Sequence, residues 1–311
     1  MRKVIIDTDP GRDDAAAILL ALASPELEIA GIIAVAGNVP LHYTELNARR
    51  IVELAGRPDV PIYAGCDRPI ARQPVTSEHV HGITGLDGYE LPEPQTQLAG
   101  EHGVDFIVET VMTAEPGAIT LCHLAPLTDL ATALVREPRI AGRIGEIVFM
   151  GGACWEIGNI TPAAEYNMYG DPEAADVVLK SGIPITMAPL DVTHLVLADS
   201  ERLARFANLG NKAGPAIAGL LDFAENIDPV RWGETGAPLY DPCAIVYLLR
   251  PELFKGRMVN VSIETTSPLT LGATVVDWWH RTGRRPNVNF LYDVDVAAFF
   301  ALLAERFARL P

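Results

Sequence analysis

Apolar positions in this chain fall into short β-branched runs alternating with longer runs in which apolar residues recur every three or four positions. The first run, from Val4 to Ile6, predicts a buried strand, and the alanine–leucine run from Ala15 predicts a helix; Pro10-Gly11 marks a tight turn between them. Further strands are expected over 27–35, 60–64, 118–123, 146–150 and 183–187, and late ones over 258–263, 273–276 and 289–292. Helical spacing predicts helices over 41–55, 104–113, after Thr128, over 171–181, 199–206 and 213–226, and from Asp241 and Asp295. Long stretches over 65–100, 151–170 and 227–239 lack either period and read as loops. Strands alternating with helices predict an α/β fold: one open, largely parallel (mixed) sheet with helices on both faces. With no internal repeat and no low-complexity linker, residues 1–311 are expected to form a single domain.

The polar residues that interrupt this pattern gather where strands end. Asp7 and Asp9 share a face if the first strand continues through them, and Asp13 and Asp14 open the following helix, where the exposed N–H groups favour carboxylates. Four carboxylates this close are costly unless some are solvated, protonated or neutralised by a cation. Hard oxygen donors suit Ca²⁺ or Mg²⁺. The same residues also read as an acidic helix cap, or as the Asp-x-Asp start of a haloacid-dehalogenase-type phosphatase. Asn38, the residues after His123, and Met150-Gly151 also follow strands, so the polar candidates converge on the rim where open α/β sheets bind ligands.

Composition narrows the partners. The formal net charge is −16, which disfavours nucleic-acid polymers and anionic membranes and leaves a small neutral or cationic ligand. Four scattered cysteines without a Cys-x-x-Cys pair read as free thiols. No segment resembles a signal peptide or a bilayer span, and a cytoplasmic protein is expected. No Gly-x-Gly-x-x-Gly or Walker motif points to a dinucleotide or ATP.

Asp7-Thr8-Asp9-Pro10-Gly11-Arg12-Asp13-Asp14-Ala15 resembles the N-terminal signature of the inosine-uridine-preferring nucleoside hydrolases. Further matches follow in order: Gly37-Asn38, residues 81–88 (His-Gly-Ile-Thr-Gly-Leu-Asp-Gly), Met150-Gly151-Gly152, residues 158–167 from Gly158 to Asn167, and Asp241-Pro242-Cys243-Ala244. The resemblance implies a Rossmann-like fold and Ca²⁺-dependent hydrolysis of the N-glycosidic bond of ribonucleosides. It implies that Asp9, Asp14 and Asp241, with the Leu124 carbonyl, hold Ca²⁺, and that Asp9 is the general base on a metal-bound water. Asp7 would support these ligands from behind. Asp13, Asn38, Asn159, Glu165 and Asn167 would bind the ribose, with Met150 lining the sugar or base pocket. Family members are homodimers or homotetramers, and the same is expected here.

Taken singly, several of these residues have plainer readings. Gly-Asn pairs such as those at Asn38 and Asn159 are ordinary turn formers, and a methionine at a strand end packs cores. Glu165 and Asn167, two apart, would point the same way in an extended segment. The departure from the family pattern is Tyr240, which stands where many members place the histidine thought to protonate the leaving base. Leaving-group activation then falls to Tyr240, to His81, or to stacking by Trp232. The alternative is a non-catalytic or altered-specificity nucleoside- or sugar-binding homologue. His42, His79, His102, His194 and His280 share no metal-ligand spacing and read as structural or surface residues; Asp191 and Thr193 read as capping.

Overall fold

A computed structural model describes residues 1–223, 227, 230–232 and 235–311. Val4, Ile5 and Ile6 are buried on both faces of β1 (Arg2–Thr8), as β-branched residues in a central parallel strand should be. Pro10-Gly11 turns the chain into α1 (Arg12–Leu22), and every residue of that helix is buried. The chain continues through β2 (Leu27–Ala34), α2 (Leu41–Leu54) and β3 (Ile62–Ala64), then the short α3 (Glu78–His81) and α4 (Gly103–Thr113). Next come β4 (Ile119–His123), α5 (Thr128–Arg136), β5 (Glu146–Met150), α6 (Tyr166–Gly170), α7 (Pro172–Leu179) and β6 (Ile185–Ala188). The last third holds α8 (Leu190–Thr193), β7 (Leu197–Ala198), α9 (Ser200–Ala207), α10 (Ala213–Leu221), β8 (Ala237–Pro238) and α11 (Pro242–Leu249). The chain ends with β9 (Phe254–Ile263), β10 (Thr274–Asp277), β11 (Val288–Val294) and α12 (Val296–Phe307).

The main sheet has nine strands in the order β10-β9-β11-β6-β5-β4-β1-β2-β3. β3, β2, β1, β4, β5, β6 and β11 run parallel, and only β9 pairs antiparallel with its two neighbours. One core packs α1, α2, α10, α11 and α12 on one face, and a second packs α4, α5 and α7 on the other. The sequence-derived α/β architecture stands. The strand order adds what periodicity could not show: β2 and β3 lie on one side of β1, and the chain crosses to the other side for β4. The crevice above β1 and β4 is therefore the topological switch point, where open α/β sheets bind ligands.

Several local expectations need correcting. The loop over 65–100 contains α3, and the loop over 151–170 contains α6; both helices are too short for periodicity to show. The helix expected over 213–226 ends at Leu221, and its residues 224–226 lie outside the described residues. The two-residue strands β7 and β8 pair antiparallel and tie the segment before Tyr240 to the chain after α8.

Candidate active site

An acidic floor forms where β1 ends and α1 and α11 begin, beside the C-terminal ends of β2, β4 and β5. Asp9 and Asp14 have no solvent exposure, and Asp13 and Asp241 are also buried. Asp14 is held by Thr8 Oγ1 (2.6 Å), the Gly11 N–H (2.9 Å) and Asn38 Nδ2 (3.1 Å). Asp9 Oδ2 accepts the Asn38 N–H at 2.7 Å, while its Oδ1 is buried without a hydrogen-bond partner. Asp241 occupies the N-cap of α11 yet makes no capping bond, and its carboxyl meets that of Asp14 instead. Carboxylate oxygens of Asp13, Asp14 and Asp241 all lie within 4.8 Å of one another.

Two like charges that far apart repel by about 3.5 kcal/mol at an effective dielectric of about 20, so three such pairs rival the whole stability of a domain. The floor must therefore hold protons or a cation. Burial, and then the neighbouring carboxylates, raise the pKa of Asp9 and Asp241 well above the ordinary range. Asp13 is pushed up to about 7 by burial and by Asp14, and Asp14 is raised by burial. The donor set is hard and anionic, and one of its oxygens is orphaned; both fit a Ca²⁺- or Mg²⁺-type ion.

Above the floor opens a pocket of about 640 Å³, counted out to its solvent mouth. Asp13, Asp241, Asn38 and Leu124 line its base, and Met150, Asn159, Glu165, Asn167, His81 and Tyr240 line its walls. The turn after β2 can approach Asp9 because residue 37 is glycine; a Cβ there would lie 1.9 Å from Asp9 Oδ2.

The walls are fixed by the protein's own polar contacts. Glu165 caps α6: its oxygens accept the N–H groups of Gly152, Asn167 and Met168 at 2.9–3.1 Å, and burial raises its pKa to about 7. Glu165 and Asn167 thus meet the pocket through a helix start, where an extended segment was expected. Asn167 Nδ2 donates to the carbonyls of Leu124 (3.0 Å) and Met150 (3.2 Å). Asn38 donates to Asp9 O and Asp14 and accepts from Ser77 Oγ at 2.8 Å, so its amide braces the floor and has little left to offer a sugar. Asn159 Oδ1 accepts the Tyr166 N–H, and its amide reaches the Tyr240 oxygen.

The family model described as "Inosine-uridine preferring nucleoside hydrolase" matches residues 4–301. The chain belongs to that family. A "Pyrimidine-specific ribonucleoside hydrolase RihA" of Salmonella paratyphi B is 44% identical over 305 residues, 97% of each chain. An uncharacterised protein of Schizosaccharomyces pombe is 50% identical over 310 residues, covering 99% of this chain and 100% of its own. Among solved structures, a "Purine-Preferring Ribonucleoside Hydrolase" from Gardnerella vaginalis superposes with a TM-score of 0.92 at 32% identity, over 99% of this chain and 98% of its own. This chain is thus an N-ribosyl hydrolase, on a fold whose named relatives have opposite base preferences.

Asp13, Asn38, Leu124, Met150, Asn159, Glu165, Asn167 and Asp241 line one pocket, and Asp13, Asp14 and Asp241 meet at its floor; Asp9 is joined to them through Asn38 and, like Asp14, does not itself border the pocket. Two expectations change. Asp7 points to the Ile5 face of β1, away from the floor: its Oδ2 lies 3.4 Å from His123 Nδ1, and neither carboxylate oxygen is hydrogen-bonded. β1 ends at Thr8, so the alternation that would have aligned Asp7 with Asp9 stops between them. Trp232 does not border the pocket; it packs on His194 (ring centroids 5.1 Å), which in turn packs edge-on to Tyr240 at 5.9 Å. His79, read as structural or surface, is exposed as expected and also reaches the pocket lining. Ser77 and Tyr166 also line the pocket; Tyr166 falls within the 158–167 family match, but neither residue is assigned a role by the motifs. Asp191 does hold backbone as expected, accepting the N–H groups of Cys154, Trp155 and Glu156.

Proposed function

We propose that this enzyme cleaves the N-glycosidic bond of ribonucleosides, giving ribose and the free base, in a Ca²⁺-dependent reaction. Asp9, Asp14, Asp241 and the Leu124 carbonyl would hold the ion, which when bound would orient the ribose diol and lower the pKa of a coordinated water. The observation that carries this reading is the set of carboxylates destabilised first by burial and then by one another, with Asp9 Oδ1 left unpaired.

Asp9 Oδ1 is the atom free to take a proton from the attacking water. The water oxygen bonds to the anomeric carbon as the C–N bond breaks, and the bonding pair leaves with the base. The sugar becomes oxocarbenium-like on the way, and the anionic floor stabilises that positive charge. Asn167 keeps its Oδ1, and Asn159 part of its amide, for sugar hydroxyls.

The leaving base faces neutral donors. His81 Nδ1 accepts the Arg12 N–H at 3.2 Å, so its remaining proton sits on Nε2. Burial, and then Arg12, lower its pKa to about 3, so it donates a hydrogen bond as neutral imidazole. Burial and then Asp13 raise the Tyr240 phenol far above neutrality, so it too remains a protonated donor. Departure of the base is thus assisted by hydrogen bonding, with no imidazolium acid.

The test is a panel of uridine, cytidine, inosine and adenosine assayed for reducing sugar with the purified protein. Ribose release that a chelator abolishes and Ca²⁺ restores is the expected result. No release from any nucleoside overturns the proposal.

A further inference from the structure

Behind the acidic floor, on the opposite face of β1, three segments bring together a second set of ligand atoms. Cys66 follows β3, His102 caps α4, and Asp129 lies in the first turn of α5. Cys66 Sγ, a ring nitrogen of His102 and a carboxylate oxygen of Asp129 lie within 4.8 Å of one another. We propose that Cys66, His102 and Asp129 form a second metal site, selective for a borderline divalent cation such as Zn²⁺, with water as the fourth ligand. A mixed sulfur, nitrogen and oxygen donor set suits Zn²⁺ and is wrong for Ca²⁺, so the two sites would sort their ions by chemistry.

A separate observation points to a missing ligand. Asp129 is fully buried; its Oδ1 accepts the Cys66 N–H at 2.9 Å, its carboxylate faces the Cys66 thiol, whose proton an ion would displace, and its Oδ2 has no well-formed hydrogen bond. The space around Oδ2 is kept by Gly65, whose Cβ would lie 2.1 Å from that oxygen. An unpaired buried carboxylate oxygen is costly unless a proton or a cation meets it. Burial, and then the nearby Asp7, raise the Asp129 pKa to about 7.

Access and geometry agree. An open surface cavity lined by Cys66, His102, Thr128 and Thr132 gives an ion and its water a way in. An isolated bridge between Ala64 and His102 fixes the histidine beside the end of β3. The ring holds only a long bond, Nδ1 accepting the Val104 N–H at 3.2 Å, so freeing a lone pair costs one weak helix cap. The bound ion would join the ends of β3, α4 and α5, beneath the segment that leads to Ser77 and His81.

Co²⁺ tests this on the intact protein, because its thiolate charge-transfer absorption reports a cysteine ligand and nothing else. With excess Ca²⁺ present to occupy the acidic floor, one equivalent of Co²⁺ is expected to give that absorption, and Zn²⁺ to displace it. Cys66→Ser should remove the band. Asp129→Asn keeps the acceptor for the Cys66 N–H and should weaken Co²⁺ at least about tenfold. Because binding deprotonates the thiol, proton release should accompany titration of the wild-type protein. Absence of the band in the wild-type protein, its survival in Cys66→Ser, or unchanged affinity in Asp129→Asn would each overturn the site.

Discussion

The two halves of the pocket are built differently. The floor rests on strand ends and helix starts: Asp9 follows β1, Asp13 and Asp14 open α1, Leu124 follows β4, and Asp241 precedes α11. The base-facing wall rests on connections: His81 ends a four-residue helix inside a long loop, and Tyr240 follows the two-residue strand β8. The floor's positions are dictated by the sheet, so the proposed sugar site is fixed by the architecture itself. The wall can change without moving the sheet. That division is consistent with pyrimidine-specific and purine-preferring names on one architecture.

The largest expected effect lies on the floor. Asp9→Asn preserves the acceptor for the Asn38 N–H but removes the proposed base, and should lower kcat by on the order of 10³–10⁴, whatever the leaving group. If nitrophenyl riboside were spared, Asp9 would belong to the wall's chemistry and the contrast would break. Asp241→Asn comes next: it should weaken Ca²⁺ by at least about tenfold, measured by calorimetry on chelator-stripped protein, and reduce turnover on every substrate in parallel.

A smaller and selective loss is expected on the wall. Tyr240→Phe should cost about ten- to a hundredfold on natural nucleosides and little on nitrophenyl riboside, whose leaving group needs no donor. Equal losses on both would make Tyr240 a support for Asn159. On the proposal that His81 and Tyr240 act as neutral donors, kcat should hold its plateau through about pH 9, with no descending limb from an imidazolium; a limb near pH 6.5–7.5 would restore an acid histidine.

The smallest effect is thermodynamic. Asp9 and Asp241 have folded pKa values raised above their unfolded ones, so the folded metal-free protein binds more protons than the unfolded chain, and stability falls as pH rises toward those raised values. His81 and His123, lowered to about 3 and about 4, pull the other way only below their unfolded pKa near 6.5. Melting of chelator-treated protein should therefore drop by a few degrees as the pH rises from 6 to 8, through the value of about 7 to which Asp13 and Glu165 are also pushed, and Ca²⁺ should close the gap. A rise in Tm over that interval without Ca²⁺ would mean that the floor is not the group being titrated.

The contrast between floor and wall also separates what the amino-acid order reveals from what it hides. β-branched runs ending in Asp9, Asn38, Leu124 and Met150 expose the parallel sheet and its working rim, because burial on both faces leaves a continuous apolar signature. The meeting of Asp241 with Asp14 came from resemblance; no local pattern encodes a contact 227 residues apart. The capping job of Glu165, the bracing job of Asn38 and the β7–β8 pairing are hidden for a related reason. Each depends on which backbone N–H or carbonyl is left over after folding, and side-chain type alone does not say. Asp7 was misplaced because alternation holds only within a strand, and β1 stops one residue later.

Gly37 carries a consequence for variation in this protein. It has no chemistry of its own, yet any side chain there would occupy the place of the Asp9 carboxylate. A saturation screen for growth on nucleosides should mark it as intolerant as the aspartates themselves, while the purified variants should remain folded. Its restriction is an inherited silence: the residue matters for the atoms it lacks.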